Sequence, residues 1–210
     1  VSHISIGEVN TSKLREYTLT MVPWLWFLDK TNNHRIFQEK NIKEIVTQIF
    51  KDLGFNDFDF KAEGGQKREY CIQHNESDLH FISRLLEEDG IAYYFKHDDK
   101  KHMLVIVDQQ NAYEECAQTD VQYAKGSIGN DTESQINAWQ HQYNFQKGQW
   151  TLNDYSFKEP DKNLLTNTKT SSQFANNAKF EHYEYPGLYD TSSGNTISKM
   201  RMDAEEVTVN

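Results

Sequence analysis

Two segments of the chain share one plan, in which an amphipathic helix ends at a glycine and extended residues follow. In the first segment Asn41 is placed to cap the helix, and Glu44 is placed to complete a capping box. Gly54 fits the left-handed position that ends a helix. The pattern predicts a helix over Ile42 to Leu53, because apolar residues recur at helical spacing: Ile42, Ile45, Val46, Ile49, Phe50 and Leu53.

The second segment repeats this plan around a cluster of acids. Either Asn75 or Ser77 supplies the cap, and Gly90 ends the helix. A helix over Leu79 to Asp89 is predicted from the apolar stripe Leu79, Ile82, Leu85 and Leu86. An offset of 36 residues, from 45 to 81, aligns both glycines and most apolar positions of the two segments, which indicates a twofold repeat.

A β-hairpin is predicted directly after the second helix. Its strands are Ile91 to Lys96 and Met103 to Val107, and the charged residues His97 to Lys101 form the turn. The two helices and this hairpin define an α/β module over residues 36–108. Residues 109–134 are polar and contain glycine, and this composition predicts a linker.

Both ends of the chain have β character. Tyr17, Leu19 and Met21 alternate with threonines, so residues 1–28 are predicted to form strands that run into an aromatic stretch, and residues 1–35 are predicted as the end of an N-terminal β domain. Residues 135–210 are predicted as a C-terminal barrel-like β domain, since aromatic strands recur on either side of the turn Gln146 to Gln149. The strand aromatics and apolar residues are Trp139, Tyr143, Phe145, Trp150, Leu152, Tyr155 and Phe157.

Three further elements are predicted within residues 135–210. Asn163 to Asn177 is a polar tract that predicts an exposed insertion. Glu181 to Asp190 predicts a strand that stops at a Pro-Gly turn, and Asn195 to Glu206 predicts a closing helix.

Charge and hydropathy exclude two classes of partner. A formal charge of −10 disfavours a nucleic-acid binder, which needs a basic face to release counterions from phosphates. The most apolar segment, Met21 to Leu28, is too short for a membrane helix and contains a proline, so no membrane anchoring is predicted. The first residues carry neither an initiator Met nor an export signal, which predicts a piece of a longer chain.

The consecutive acids Glu87, Glu88 and Asp89 are the first candidates for catalysis. Neighbouring residues on a helix diverge by about 100°, so these carboxylates do not converge on one substrate atom as a general acid and base must. We therefore predict a solvated face or a protein contact, and no catalytic residue.

The sequence gives little support for a metal, nucleophile, phosphate or sugar site. The candidate metal ligands are His74, His80, His97 and His102, of which His97 and His102 are predicted to face one another across the hairpin, but two ligands do not close a tetrahedral site. Cys71 and Cys116 are predicted free thiols outside any nucleophile motif, and Gly64-Gly65 lacks the rest of a phosphate loop. No metal, cofactor or cofactor-binding residue is predicted, and the aromatics near 139–157 are assigned to a core or protein interface rather than to a sugar-binding face.

Five segments in this order resemble the VgrG spike proteins of type VI secretion systems, in their phage-tail-hub-like region. They are IFQEKNIKEIV (Ile36 to Val46), REYCIQHNESDLHFISRLLEEDGIAYYFKH (Arg68 to His97), HMLVIVD (His102 to Asp108), WTLNDYSFKEP (Trp150 to Pro160) and YEYPGLYD (Tyr183 to Asp190). The resemblance implies an α+β fold with barrel-like antiparallel β domains of the phage tail hub type and an inserted helix-and-hairpin module.

The resemblance implies a structural role and no enzyme activity. The expected protein is a homotrimeric hub that joins the Hcp tube to the spike tip, carries effector or tip proteins, assembles in the bacterial cytoplasm and is then injected into a target cell. Three alternatives stay open: a contractile phage baseplate hub, a cell-wall hydrolase acting through Glu87 or Glu88, and a carbohydrate-binding module. Residues at the trimer and tube contacts are not identified by the resemblance.

Overall fold

The computed structural model describes residues 1–9, 11–109, 112–115, 119–123, 135–142, 144–189 and 192–207. The chain divides into two compact units, residues 1–114 and 115–210. The predicted division into residues 1–35, 36–108, 109–134 and 135–210 is finer than this, and it stays a prediction.

The first unit begins with an isolated hairpin. Strands β1 (His3–Val9) and β2 (Arg15–Thr20) pair antiparallel, as the alternation predicts. The predicted strand over the aromatic stretch is wrong, because Trp24–Lys30 is a 3₁₀ helix. Pro23 precedes it in an extended conformation, and the helical turn buries Trp24, Leu25 and Leu28 together, which an alternating strand would separate onto two faces.

Strand β3 (Asn33–Lys40) leads into helix α1 (Ile42–Asp52). The predicted capping box is confirmed: Asn41 Oδ1 accepts from the Glu44 amide and Glu44 Oε2 accepts from the Asn41 amide, both at 2.9 Å. The predicted apolar stripe is buried up to Phe50, whereas Leu53 is exposed beyond the last helical turn. Gly54 has a φ of 80° and ends the helix as predicted.

The remainder of the first unit contains the predicted second helix and hairpin, together with the strand Arg68–Glu76, which was not predicted. After β4 (Phe58–Phe60) and β5 (Arg68–Glu76) comes helix α2 (Asp78–Glu88), and Ser77 is its cap, since its hydroxyl accepts from the His80 amide at 3.1 Å. The predicted hairpin is confirmed as β6 (Ala92–His97) and β7 (His102–Val107).

Two small sheets and two helices enclose the core of this unit. β3 pairs antiparallel with β5, and β7 lies between β6, which is antiparallel to it, and β4, which is parallel. α2 packs against the 3₁₀ helix and against α1. The largest wholly buried side chains come from the 3₁₀ helix, α1, α2 and β7: Leu28, Ile42, Ile45, Ile49, Phe50, Phe81, Ile82, Leu85, Leu104 and Ile106.

The second unit contains two more sheets. β8 (Gln122–Tyr123) pairs parallel with β9 (Gln135–Ile136). β10 (Gln149–Leu152) is the central strand between β11 (Thr166–Lys169) and β12 (Glu181–Glu184). Helix α3 (Gly194–Glu206) packs on β10 and β11, which confirms the predicted closing helix.

The polar tract Asn163 to Asn177 is not wholly an exposed insertion, so that prediction is corrected. It contains β11, and Leu164, Thr166, Thr170 and Asn177 are buried. The hydroxyls of Thr168 on β11 and Ser198 on α3 lie 2.8 Å apart, so α3 supplies a hydrogen-bond partner to the polar strand. Polar residues therefore form this strand because a helix supplies their partners.

The strands predicted on either side of this tract are also shorter in the structure. Residues 137–142 are not in a strand, Tyr143 lies outside the described residues, and Tyr155 and Phe157 follow the end of β10. In the described part of the chain the sheets have two or three strands and none closes into a barrel, so the fold is mixed α and β. Within the same residues, no helix has the length and apolar character needed to cross a membrane.

Gly54 and Gly64 both have a positive φ, but they differ in packing, because Gly64 lies against the first turn of α1 and Gly54 does not. Gly64 has a φ of 88°, its carbonyl accepts from the Ile42 amide at 3.1 Å, and a Cβ there would lie 2.5 Å from Lys43 Cβ and 2.9 Å from its backbone nitrogen. Gly54 has a φ of 80° and nothing within 4 Å of such a Cβ. We predict that Gly54→Ala costs about 1 kcal/mol of unfolding free energy and Gly64→Ala about 3 kcal/mol. Urea unfolding of both variants measures the difference, and equal losses would contradict the packing at Gly64.

Candidate functional site

The predicted acidic cluster at the end of α2 is partly neutralised by one arginine. Arg68 on β5 donates from Nη1 to Glu88 Oε2 at 2.6 Å and from Nη2 to Asp89 Oδ1 at 3.2 Å, whereas Glu87 is exposed. The predicted divergence of all three acids is therefore wrong for two of them. Asp89 is the C-cap, with φ −97° and ψ 9°, so the angular spacing of a regular helix no longer applies to it.

A second arginine extends this ion-pair network along the helix. Arg84 Nη2 donates to Glu76 Oε1 at 2.8 Å, and its Nη1 donates to Glu88 Oε1 at 3.3 Å. The hydrogen bonds from Arg84 lower the pKa of Glu76, while burial raises the pKa of Asp89 against the opposing effect of Arg68. Carboxylates held by arginines in this way are acceptors in fixed ion pairs, and the geometry gives them no free partner for acid–base chemistry.

The predicted pair of histidines does meet across the second hairpin. His97 and His102 are directly opposite in the β6–β7 register, and their ring centroids are 5.8 Å apart. His102 Nε2 is already occupied, because it accepts from the Trp24 amide at 2.9 Å. A metal ion needs that lone pair, so the bond to Trp24 competes with metal binding.

The other two candidate histidines lie apart from this pair. His74 packs edge-on against His34 across β3 and β5, with centroids 4.7 Å apart. His80 Nδ1 lies 2.7 Å from Glu76 Oε2 within the arginine network. In the described parts of the chain, no group of three or more His, Cys, Asp or Glu side chains has a geometry that holds a metal ion.

The cysteines and glycines have structural surroundings. Cys71 is a free thiol, as predicted, and burial raises its pKa, which opposes formation of the nucleophilic thiolate. Cys116 lies outside the described residues. Gly64 and Gly65 form a turn with positive φ, and a Cβ on Gly65 would lie 2.0 Å from Asp89 Oδ2, so this turn packs against protein rather than a phosphate.

A buried carboxylate that the sequence did not single out connects the elements of the first unit. Asp78, the first residue of α2, has no exposed surface. Asn33 Nδ2 donates to it at 3.1 Å, Gln73 Nε2 donates at 2.8 Å, and Arg35 forms a short charge-assisted contact through Nη2. The backbone amide of Asp78 donates to the Thr31 hydroxyl at 3.3 Å. The carboxylate also lies at a helix N-terminus, where the helix dipole favours negative charge.

Two surfaces of the first unit expose apolar side chains in an ordered pattern. On the β1–β2 hairpin, Ile4 lies opposite Leu19 and Ile6 opposite Tyr17, which places all four on one face, called here the hairpin face. On the outer side of β3 and β5, Ile36 lies opposite Ile72, and both are exposed. An exposed apolar surface of this kind is a candidate for contact with another protein.

In the second unit the predicted aromatic residues do not form one continuous face. Trp150 is half-buried and lies against His182, with centroids 4.0 Å apart, while Phe157 is 77% exposed beyond the strand. Gly187 and Leu188 bond to Asn153 and Asp154, which joins the two sequence segments near residues 153 and 187. The geometry brings together two of the five segments that carried the resemblance.

Comparison with known proteins identifies the family. The whole chain, residues 1–210, matches the family described as phage tail baseplate hub (GPD). The type VI secretion system spike protein VgrG1c of Pseudomonas aeruginosa is 36% identical over 191 residues, covering 90% of this chain and 26% of that protein. VgrG1b of the same organism is 34% identical over 207 residues, covering 97% of this chain and 28% of that protein.

Among solved structures, the E. coli c3393 protein is described as a component of the type VI secretion system with structural similarity to the T4 bacteriophage tail proteins gp27 and gp5. It aligns with a TM-score of 0.42 and 30% identity, covering 48% of this chain and 28% of that chain. The chain spans less than a third of the length of the two VgrG relatives. It belongs to the phage tail baseplate hub family, and the predicted resemblance to VgrG spike proteins is confirmed.

The Asp78 network predicts a large loss of stability on a small change. Asp78→Asn leaves Arg35 without a buried counter-charge, so we expect a loss of about 3 kcal/mol in unfolding free energy, measured by urea denaturation. Asp52→Asn changes an exposed carboxylate on α1 and should stay within about 0.5 kcal/mol of the parent chain. A similar small effect for Asp78→Asn would contradict the network.

The lowered pKa of Glu76 predicts an acid-dependent contribution to stability. Because the folded pKa lies below the unfolded one, Glu76 stabilises the fold above about pH 4.3 and loses this contribution as the pH falls further. Glu76→Gln should therefore reduce the unfolding free energy at neutral pH, and its difference from the parent chain should shrink below about pH 4. Glu87→Gln, a change of an exposed carboxylate on α2, is the control. A pH-independent difference for Glu76→Gln would exclude this ion pair as its cause.

Proposed function

We propose that this chain is a structural hub component of a type VI secretion spike, which joins the Hcp tube to the spike tip so that effectors are delivered by contraction. The family membership and the similarity to VgrG spike proteins support this proposal. The proposed partners are two further copies of the protein in a homotrimer, the Hcp tube, and effector or tip proteins. The protein assembles in the bacterial cytoplasm and is then injected into the target cell.

The observation that carries the proposal is the uncovered hairpin face. Ile4, Ile6, Tyr17 and Leu19 are each more than half exposed, at 57%, 59%, 57% and 52%. The opposite face carries polar pairs, including Ser5 with Thr18, so the hairpin has the alternation of a sheet with one buried side. A two-stranded hairpin has little stability in water by itself, and the hairpin face gains free energy when another surface covers it. Such a surface is expected in a subunit that binds other subunits.

The ion pairs of the acidic side chains support a structural role rather than catalysis. Glu88 and Asp89 are bound by Arg68, and Glu76 is bound by Arg84, so these acids hold β5 against α2. We infer that the chain acts without catalysis. The ion pair of Glu88 with Arg68 disfavours a cell-wall hydrolase that uses Glu88. The scattered aromatic residues of the second unit disfavour a carbohydrate-binding module.

The finer architecture is part of the same proposal. In the assembled hub, the sheets of residues 1–35 and 135–210 are completed into barrel-like domains, and the helix-and-hairpin module over residues 36–108 is inserted between them, with 109–134 as a linker. Barrel closure pairs strand edges, which otherwise expose unpaired backbone groups. A contractile phage baseplate hub is the second candidate, because the matching family is described as phage tail baseplate hub.

The hairpin face is testable in a secreting cell. In the full-length protein, Ile4→Thr with Leu19→Thr replaces one apolar pair by residues that retain β propensity. We expect at least about a tenfold loss of Hcp released into the medium, since each buried aliphatic side chain contributes about 1.5–3 kcal/mol. Ser5→Ala with Thr18→Ala, on the opposite face, is the matched control and should release Hcp at the parental level.

Two outcomes contradict the proposal. Parental Hcp release by the hairpin-face variant, with normal protein levels, shows that assembly does not use this face. Hcp release that is unaffected by deleting the gene altogether removes the secretion role and favours the phage baseplate hub.

A further inference from the structure

The solvent-facing side of β3 and β5 is a second ordered surface of the first unit, called here the outer face. Its residues are exposed, whereas Phe37, Cys71 and Gln73, which point to the other side of the same sheet, are buried. The core therefore holds this sheet from one side and leaves the other side free for contact. The outer face consists of three cross-strand pairs: His34 with His74, Ile36 with Ile72, and Gln38 with Tyr70.

The composition of the outer face and of the hairpin face is typical of the centre of a protein interface. Charged residues make up 26% of the chain, yet neither face contains Asp, Glu, Lys or Arg. Each face carries one exposed tyrosine, Tyr17 on the hairpin face and Tyr70 on the outer face. Depletion of charge and enrichment in tyrosine distinguish the buried centre of an interface from the rest of a protein surface.

We propose that the hairpin face of one copy packs on the outer face of the next copy in the homotrimer. A closed ring of three identical subunits needs two different surfaces on each subunit, because a surface that binds itself joins only two. The first unit has two such surfaces, and neither is covered within its described residues. This inference rests on the proposed function, since it names the partner of the hairpin face.

The two faces match in architecture. Each is one side of a two-stranded antiparallel sheet, so its side chains stand in cross-strand pairs on alternate residues. Two sheets of this kind pack face to face about 10 Å apart, with the side chains of one sheet between those of the other. Both faces present neighbouring apolar rows for such packing: Ile4 with Leu19 beside Ile6 with Tyr17 on the hairpin face, and Ile36 with Ile72 beside Tyr70 on the outer face.

The apolar area of the two faces fits one interface between subunits. Their large apolar residues are between 48% and 61% exposed: Ile4, Ile6, Tyr17, Leu19, Ile36, Tyr70 and Ile72. With roughly 100 Å² of exposed area on each, the two faces bring about 700 Å² of apolar surface together. A standard interface of about 1,600 Å² contains about 900 Å² of non-polar area. The pairing therefore supplies most of the apolar area that one interface needs.

Cysteine cross-linking of the full-length protein tests this pairing. Ile6→Cys with Ile72→Cys places one thiol on each face, and a short bis-maleimide reagent links the thiols where the faces meet. We expect covalent products of two and three chains and none larger, because a closed ring of three has no further partner. Ile4→Cys with Tyr70→Cys is a second pair of exposed positions and should give the same products.

The matched control is Ser5→Cys with Ile72→Cys, since Ser5 lies on the opposite face of the hairpin. Ile6→Cys alone and Ile72→Cys alone measure the reaction of the native thiols Cys71 and Cys116. All three control proteins should remain at the mass of one chain after denaturation.

Four outcomes overturn the pairing. The first is a link within one chain, identified by peptide mass spectrometry, and the second is cross-linking of Ile6→Cys alone, which would show that hairpin faces bind one another. The third is equal cross-linking in the Ser5→Cys control. The fourth is an absence of cross-links in a protein whose native mass is that of three chains, which removes the pairing but keeps the proposed homotrimer. A native mass of one chain would instead remove the homotrimer itself, and the pairing with it.

Discussion

The fold of the first unit depends on one buried carboxylate, that of Asp78. Burial of an ionised acid costs several kcal/mol unless charges and donors compensate for it. Here Arg35 on β3 supplies the counter-charge, Asn33 and Gln73 supply amide donors, and the N-terminus of α2 supplies a favourable dipole. Because these partners belong to different elements, the carboxylate is satisfied only when β3, β5 and α2 are all in place, and the core beneath them packs in the same arrangement.

The elements predicted best are those whose signals are local. Asn41 with Glu44, the apolar stripe of α1, and Gly54 lie within fourteen consecutive residues, and each acts on its neighbours. The parts that sequence reasoning missed are long-range. The ion pair of Arg35 with Asp78 spans 43 positions, and the parallel pairing of β10 with β12 spans 32. An acid at the start of a helix fits an ordinary dipole preference, so nothing in its immediate neighbours marks Asp78 as buried.

The candidate site shows the same difference between local features, which could be predicted, and long-range contacts, which could not. The facing of His97 and His102 could be predicted, because a hairpin register is local, but the occupation of His102 Nε2 by Trp24 could not. The acids Glu88 and Asp89 were expected to diverge, and Arg68, 20 and 21 positions earlier, brings them together. Two of the three candidate acids are thus held in structural ion pairs, and the hairpin face exposes apolar side chains. Both features fit the proposed role in an assembly.

The proposed role requires the full-length protein to form a homotrimer. Its mass in solution, measured by light scattering across a range of concentrations, should correspond to three chains and stay unchanged on dilution. A mass of one chain at every concentration would exclude a homotrimeric hub.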